Sequence, residues 1–303
     1  MCCTGCLNRA LLVVAMAVAG CVYGHEGRPR DNTPLALGNP SAALPDVQND
    51  CNYLMEKATY ALSYNNSTHT ANWVAWHLDA DDLGTSGRSN YFYADTMLPR
   101  AWYALRSNDF QYALYGFERG HLCPSGDRTH SREMNRETFL MTNMIPQAPD
   151  NNGGVWKALE EYARSLARAG SELYMYAGPA GRGGTSARGT YSGIPIPDRS
   201  AVKQSGASDN GSPVYSDNVI AVPAYMWKIL LVLPVGDDDV ARITADTTVI
   251  AVLIPNANGC STGRSWQFYC VSVDDIEALT GYDFFTELDG ETEAAVERAV
   301  YAP

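Results

Sequence analysis

The chain has 303 residues, of which 46% are hydrophobic, enough for one large globular domain with a full core. No run after residue 25 reaches the roughly 20 apolar residues of a membrane-spanning helix. The net charge of −12 excludes a protein that grips nucleic acid along an extended basic track, because phosphate neutralisation supplies most non-specific affinity; a local positive patch is still compatible with it.

In chain order, Arg9 precedes an apolar run over 10–20 that has the length of a signal-peptide core. It ends in Val18-Ala19-Gly20-Cys21, similar to the lipobox of bacterial lipoproteins. A signal peptide over 1–20, lipidation at Cys21, a flexible tether over 21–50 rich in Pro, Gly, Asn and Asp, and one domain over 51–303 are therefore expected. This implies an exported lipoprotein held by its lipid on the outside of the cytoplasmic membrane, in the periplasm or at the cell surface. Cys2, Cys3, Cys6 and Cys21 fall in or beside the leader, leaving Cys51, Cys123, Cys260 and Cys270. In an oxidising compartment, an even number of cysteines suggests disulfides, with three connectivities open. The short turn-rich stretch between Cys260 and Cys270 favours that pair and leaves Cys51 with Cys123; free thiols are the alternative. None of these four forms a C-x-x-C pair, which argues against zinc.

Aromatic and β-branched residues predict a strand over 71–78, followed by a loop over 88–99 that carries Tyr91, Phe92 and Asp95. Residues 115–121 read as a short strand running into a turn. Met134, Thr138 and Met141 are spaced for one face of a helix over 131–142. A turn over 149–154 precedes a helix reaching Ala169, with Gly170 as its stop and Trp156, Leu159, Ala163 and Leu166 as its apolar stripe. Residues 180–217 read as a long surface loop. Further strands are expected over 173–177, 219–222, 228–233, 249–254 and 268–273, and a helix with an acidic cap over 274–280. Strands with helices laid between them suggest an α+β domain.

Phosphodiester hydrolysis needs a base for water, a cation to offset growing charge, and positive donors for the phosphate. His121 supplies an imidazole, and Arg119, two residues earlier on a strand, points to the same side. Asn152 offers an amide oxygen to a hard cation such as Mg2+, and Glu160 a carboxylate that orients water. Asn152, Trp156, Glu160 and Arg164 follow at i+4 steps, and Glu160–Arg164 is a favourable helical pair. Each residue also has a plainer reading. His121 after a glycine suits a turn, Asn152 a helix cap, Glu160–Arg164 a surface pair and Asn143 a satisfied buried amide. Taken alone, the residues reach a metal-assisted hydrolase of phosphate esters.

The run Tyr115-Gly116-Phe117-Glu118-Arg119-Gly120-His121-Leu122-Cys123-Pro124 with Asp127-Arg128 is similar to the G-Y-D-R-G-H-x-x-P…D-R signature of the DNA/RNA non-specific endonucleases, the endonuclease G-like ββα-metal nucleases. The stretches from Thr138 to Gln147, from Asn151 to Arg164, Trp73 to Trp76, Val222-Pro223 with Trp227-Lys228, and Val271 to Asp283 match in the same order, so the resemblance spans roughly residues 60–285. It implies an α+β, His-Me finger fold with a central, mostly antiparallel sheet flanked by helices. It also implies cleavage of DNA and RNA without sequence preference to 5′-phosphate ends. His121 falls on the general base and Asn152 on the one direct ligand of Mg2+, for which Mn2+ or Ca2+ are substitutes. Glu160 and Glu118 reach the cation through water. Arg88, Arg119 and Arg164 match arginines that contact substrate phosphate, and Asn143 an asparagine that supports the histidine. One departure stands out: the family's Asp is Glu118 here, one methylene longer. The competing readings are a binding lipoprotein of the same fold that does not cut, and a phosphodiesterase for small esters.

Overall fold

A computed structural model describes residues 32–197 and 218–302 of the chain. The signal peptide expected over 1–20, Cys21 and the first part of the tether lie outside the described residues, as does the loop over 198–217.

The first strands, β1 (Tyr53–Glu56), β2 (Ala61–Asn65) and β3 (Thr70–Leu78), form an antiparallel meander. The chain then leaves the sheet for helix α1 (Tyr112–Tyr115), strand β4 (Glu118–His121), helix α2 (Arg132–Glu137), strand β5 (Met144–Gln147) and helix α3 (Lys157–Arg168). It returns as β6 (Ser171–Ala180) and forms small strands β7 (Gly184–Ser186), β8 (Gly189–Tyr191), β9 (Gly193–Pro195) and β10 (Val219–Ala221). Strand β11 (Tyr225–Pro234), helix α4 (Asp239–Arg242), strands β12 (Thr248–Pro255) and β13 (Cys270–Val271), and helices α5 (Val273–Thr280) and α6 (Gly290–Arg298) complete it. The main sheet has seven strands in the order β1-β2-β3-β6-β11-β12-β13, antiparallel throughout.

Successive side chains of a strand point to opposite faces, and here both faces are covered. Val74, Trp76 and Leu78 of β3, Leu173 and Met175 of β6, and Met226 and Leu230 of β11 pack against Leu159, Ala163 and Ala167 of α3. Trp73, Ala75, Tyr174, Tyr176, Trp227, Ile229 and Leu231 face the other way, onto Val273 and Ile276 of α5 and Val296 of α6. Each fully buried Leu or Ile is worth roughly 1.5–3 kcal/mol over exposure, which makes these two layers the main source of stability. A third cluster, including Phe110, Phe117, Met141 and Met144, lies under the separate β4–β5 pair.

Several expectations are corrected. The tether is docked over its described part: Leu37 is fully buried, Trp73 Nε1 donates to Ser41 Oγ at 2.8 Å, and Tyr176 Oη donates to the carbonyl of Gly38 at 3.1 Å. Leu37 and Ala43 supply the apolar contacts that a Pro- and Gly-rich composition obscures. The helix expected over 131–142 ends at Glu137, after which Phe139 and Leu140 tighten to i→i−3 backbone bonds with Arg136 and Glu137. The loop over 180–217 contains β7, β8 and β9. The strand expected over 268–273 is only β13, preceded by the 3-10 turn Trp266–Tyr269. Helix α5 is capped by Ser272 in a reciprocal pair with Asp275. No disulfide joins Cys51, Cys123, Cys260 or Cys270, all of which are free. Cys51 lies exposed before β1 while Cys123 is sealed in the core beneath the site.

Candidate active site

Two strands and a helix bring the predicted residues to one place. Strand β4 pairs with β5 in the register Glu118↔Gln147 and His121↔Met144. Gly120 is required at this crossing, because a Cβ there would fall 1.9 Å from Gln147 Oε1. The chain then enters a wide turn over Asn151–Trp156 before α3, and Gly154 takes φ −105°, ψ −111° inside it. Asn152 therefore does not continue the i+4 stripe of α3 as the spacing implied. The wide turn presents it instead, held by Gln147 Nε2 donating to Asn151 Oδ1 at 2.7 Å and Asn151 Nδ2 to the carbonyl of Pro255 at 2.8 Å. Such turns concentrate at functional sites.

Arg88, Arg119, His121, Asn152, Glu160 and Arg164 line one cleft of about 350 Å3. His121 is 7% exposed, and its Nε2 is buried without a hydrogen-bond partner. Phe139 packs edge-on to the ring at 4.8 Å and Phe92 flanks it at 5.7 Å. Burial first, then the positive charges of Arg88 and Arg119, push the imidazole down to about 3, so it is a neutral proton acceptor at any ordinary pH. Asn143 reaches this ring through the backbone. It is fully buried, accepts from Cys123 N at 2.9 Å, and donates to the carbonyls of Cys123 and Thr138, both at 2.8 Å. Trp156 Nε1 donates to the carbonyl of His121 at 3.4 Å, tying β4 to the start of α3.

The arginines are braced from behind. Arg88 lies over the Phe139 ring and donates Nη1 to Ser125 Oγ at 2.6 Å. Arg119 lies over Phe92 and donates Nη1 to the carbonyl of Ser107 at 2.9 Å, while its Nε is buried without a partner. The pair expected between Glu160 and Arg164 is not formed. Arg164 bonds instead to the fully buried Asp127 at 2.8 Å, and Glu160 faces the Nζ of fully buried Lys228 at 3.5 Å. Lys228 lies between the rings of Trp76 and Trp156. Burial raises the carboxyl of Glu160 despite the opposing charge of Lys228, and lowers Lys228.

Asp127 and Lys228 were legible in the sequence only as motif positions, and Ser125 and Lys157 carried no role there. A lone lysine inside the apolar strand β11 was the available signal for Lys228; Lys157 shows itself only as a lining residue of the cleft at the exposed start of α3.

The donors suit a hard cation. Asn152 Nδ2 donates to Glu118 Oε2 at 2.7 Å, so the amide oxygen is the coordinating atom left on that side chain. Oxygen donors of this kind match Mg2+ or Ca2+ rather than a soft metal. Elsewhere His77, Glu172 and Asp239 form a buried group with atoms close enough to share a divalent ion. They lie with Tyr174 on the α5–α6 face of the sheet, and the Arg242 guanidinium already bonds to both Glu172 and Asp239.

Residues 38–291 match the family described as DNA/RNA non-specific endonuclease. A nuclease of Nostoc sp. (strain PCC 7120 / SAG 25.82 / UTEX 2576) is 42% identical over 275 residues, covering 91% of this chain and 88% of its own. Nuclease C1 of Cunninghamella echinulata var. echinulata is 29% identical over 269 residues, 87% of this chain and 92% of its own. The solved structure described as "Crystal structure of the EndoG/EndoGI complex: Mechanism of EndoG inhibition" matches in fold, with a TM-score of 0.62 at 21% identity over 86% of this chain and 92% of that one.

Proposed function

From the premise that the chain belongs to the DNA/RNA non-specific endonuclease family and is a metal-dependent nuclease, we propose that it cuts both DNA and RNA within the chain, without sequence preference, leaving 5′-phosphate ends. The observation that carries this reading is the buried, unpartnered Nε2 of His121 in the same cleft as three arginines and Asn152.

His121, neutral in the wall of the cleft, takes the proton from the attacking water. Arg119 and Arg88, held over aromatic rings, grip phosphate oxygens with pre-oriented forks. Arg164, fixed by Asp127, places a further positive charge in the cleft. Asn152 would hold Mg2+ directly, with Mn2+ or Ca2+ as substitutes, and Glu118 and Glu160 would hold its hydration shell. Bound there, the cation supplies electrostatic stabilisation of charge on the phosphate and leaving oxygen. The cleft gathers Arg88, Arg119, Lys157 and Arg164 in a chain of net charge −12, which favours weak, salt-sensitive binding of polymer.

The test is incubation of the purified protein with plasmid DNA and with RNA, in Mg2+ and in chelator, beside His121→Ala. Cleavage of both polymers in Mg2+ alone is expected. His121→Ala should lose about 10²–10⁴-fold in rate with an unchanged circular-dichroism spectrum. Intact polymers under every metal condition, or a folded His121→Ala that cuts at the wild-type rate, would overturn the reading. The leader and Cys21 support an exported, lipid-anchored form; Cys21→Ala should release the nuclease from the membrane fraction.

A further inference from the structure

Where α5 meets α6, on the face of the sheet away from the cleft, five carboxylates gather. Asp274 and Glu277 stand one turn apart on α5, Asp283 lies in the segment that follows, and Glu293 and Glu297 stand one turn apart on α6. The side-chain oxygens of Asp274, Glu277 and Glu297 come within 4.8 Å of one another, and so do those of Asp283, Glu293 and Glu297. Glu297 belongs to both groups. It is 7% exposed, and its Oε1 is buried with no hydrogen-bond partner. Among the described residues, no Lys, Arg or His forms an ion pair with any of the five. Glu277 accepts from the amide of Phe284 at 2.7 Å, and its carboxyl faces that of Glu297 at hydrogen-bonding distance.

We propose that these carboxylates form a calcium site that ties α6 to α5. A buried carboxylate facing others needs a positive partner or a proton. Burial, then Glu277 and Glu293, push the Glu297 carboxyl up to about 8, the direction expected where no protein cation answers the charge. The donors are oxygen only, which excludes soft metals. They are numerous and come from two helices and a loop. That suits the six to eight flexible ligands of Ca2+ better than the tight octahedron of Mg2+. A cation here would hold down the helix whose Val296 closes the core on this face, and would stabilise the folded state because the unfolded chain has no such site.

The test uses the full chain carrying Asn152→Ala, so that the cleft contributes no cation binding. Calorimetric titration with Ca2+ at pH 7.5 should show one ion per chain. Thermal unfolding should rise by about 5 °C at a hundredfold excess over the dissociation constant. Glu297→Gln in that background should abolish both effects, and Asp283→Asn should weaken binding tenfold or more. Glu297→Gln in the otherwise unaltered chain should leave nuclease activity unchanged. Asp283 is exposed, so its variant carries the test by itself if Glu297→Gln does not fold. Absence of Ca2+ binding, or binding that neither substitution alters, would overturn the proposal.

Discussion

The amide nitrogen of Asn152 and the carboxylate of Glu118 meet at 2.7 Å, joining the wide turn ahead of α3 to the first residue of β4. This contact decides which atom of Asn152 is offered to a cation. It also gives the longer Glu118 side chain a role, since the carboxylate spans the gap to the turn. Glu118→Asp withdraws the carboxylate by one methylene and frees the amide to rotate. The Mg2+ concentration for half-maximal cleavage should rise about tenfold or more, the usual cost of losing a group that orients a ligand. A magnesium titration superimposable on that of the unaltered chain would show that the contact orients nothing.

His121 lies in the window where sign matters. Its folded value is pushed down to about 3, below the ordinary ~6.5. As pH falls, the unfolded chain takes up this proton first. The stability tied to the neutral ring is complete above pH ~6.5 and is lost progressively toward the folded value. The imidazole resonances of His121 should therefore stay at their neutral positions from pH 8 to pH 5. A mid-point near 6.5 by NMR would mean that the ring is solvated and its orphan nitrogen reaches bulk water.

On the proposed mechanism, with His121 neutral, the acid limb of kcat/KM is expected to follow Glu160, whose carboxyl is raised by burial and held back by Lys228. Lys228→Met keeps the volume between Trp76 and Trp156 but removes the opposing charge. The acid limb should move to higher pH, with activity lost first at the acid end and recovered at the alkaline end. An unmoved limb in a folded variant would separate Glu160 from the titration.

Gly120→Ala places a methyl group 1.9 Å from Gln147 Oε1 and 2.7 Å from Gln147 Cβ. Gln147 is fully buried and bonded to Asn151, so it has nowhere to swing. The β4–β5 pair must open, at about 1–3 kcal/mol. Displacement of His121 by even 1 Å can cost ~10²-fold in rate. Lower thermal stability together with lower kcat is expected; a variant matching the unaltered chain in both would show that the hairpin accommodates the methyl group.

The Tyr115–Arg128 run was legible because two-residue alternation puts Arg119 beside His121 on any strand, whatever surrounds it. Helix α3 was legible from Leu159 and Ala163 at helical spacing. The docked segment around Leu37 was not, because its few apolar residues acquire meaning only against Trp73 and Tyr176, elements far along the chain. The cysteine pairing failed for a related reason: an even number of thiols says nothing about whether two of them face one another.

By itself the sequence determined strand β3, helix α3, the cores of β6, β11 and β12, and the chemistry gathered in Glu118 to His121, since all of these follow from local spacing. The tertiary structure alone decided that Glu160 answers to Lys228 and Arg164 to Asp127. Spacing along a helix allowed the nearer pair, Glu160 with Arg164. The packing of α3 against β11 brought the buried Lys228 within reach, and the turn after β4 brought the buried Asp127; a charge taken out of water settles on whichever partner the fold leaves beside it.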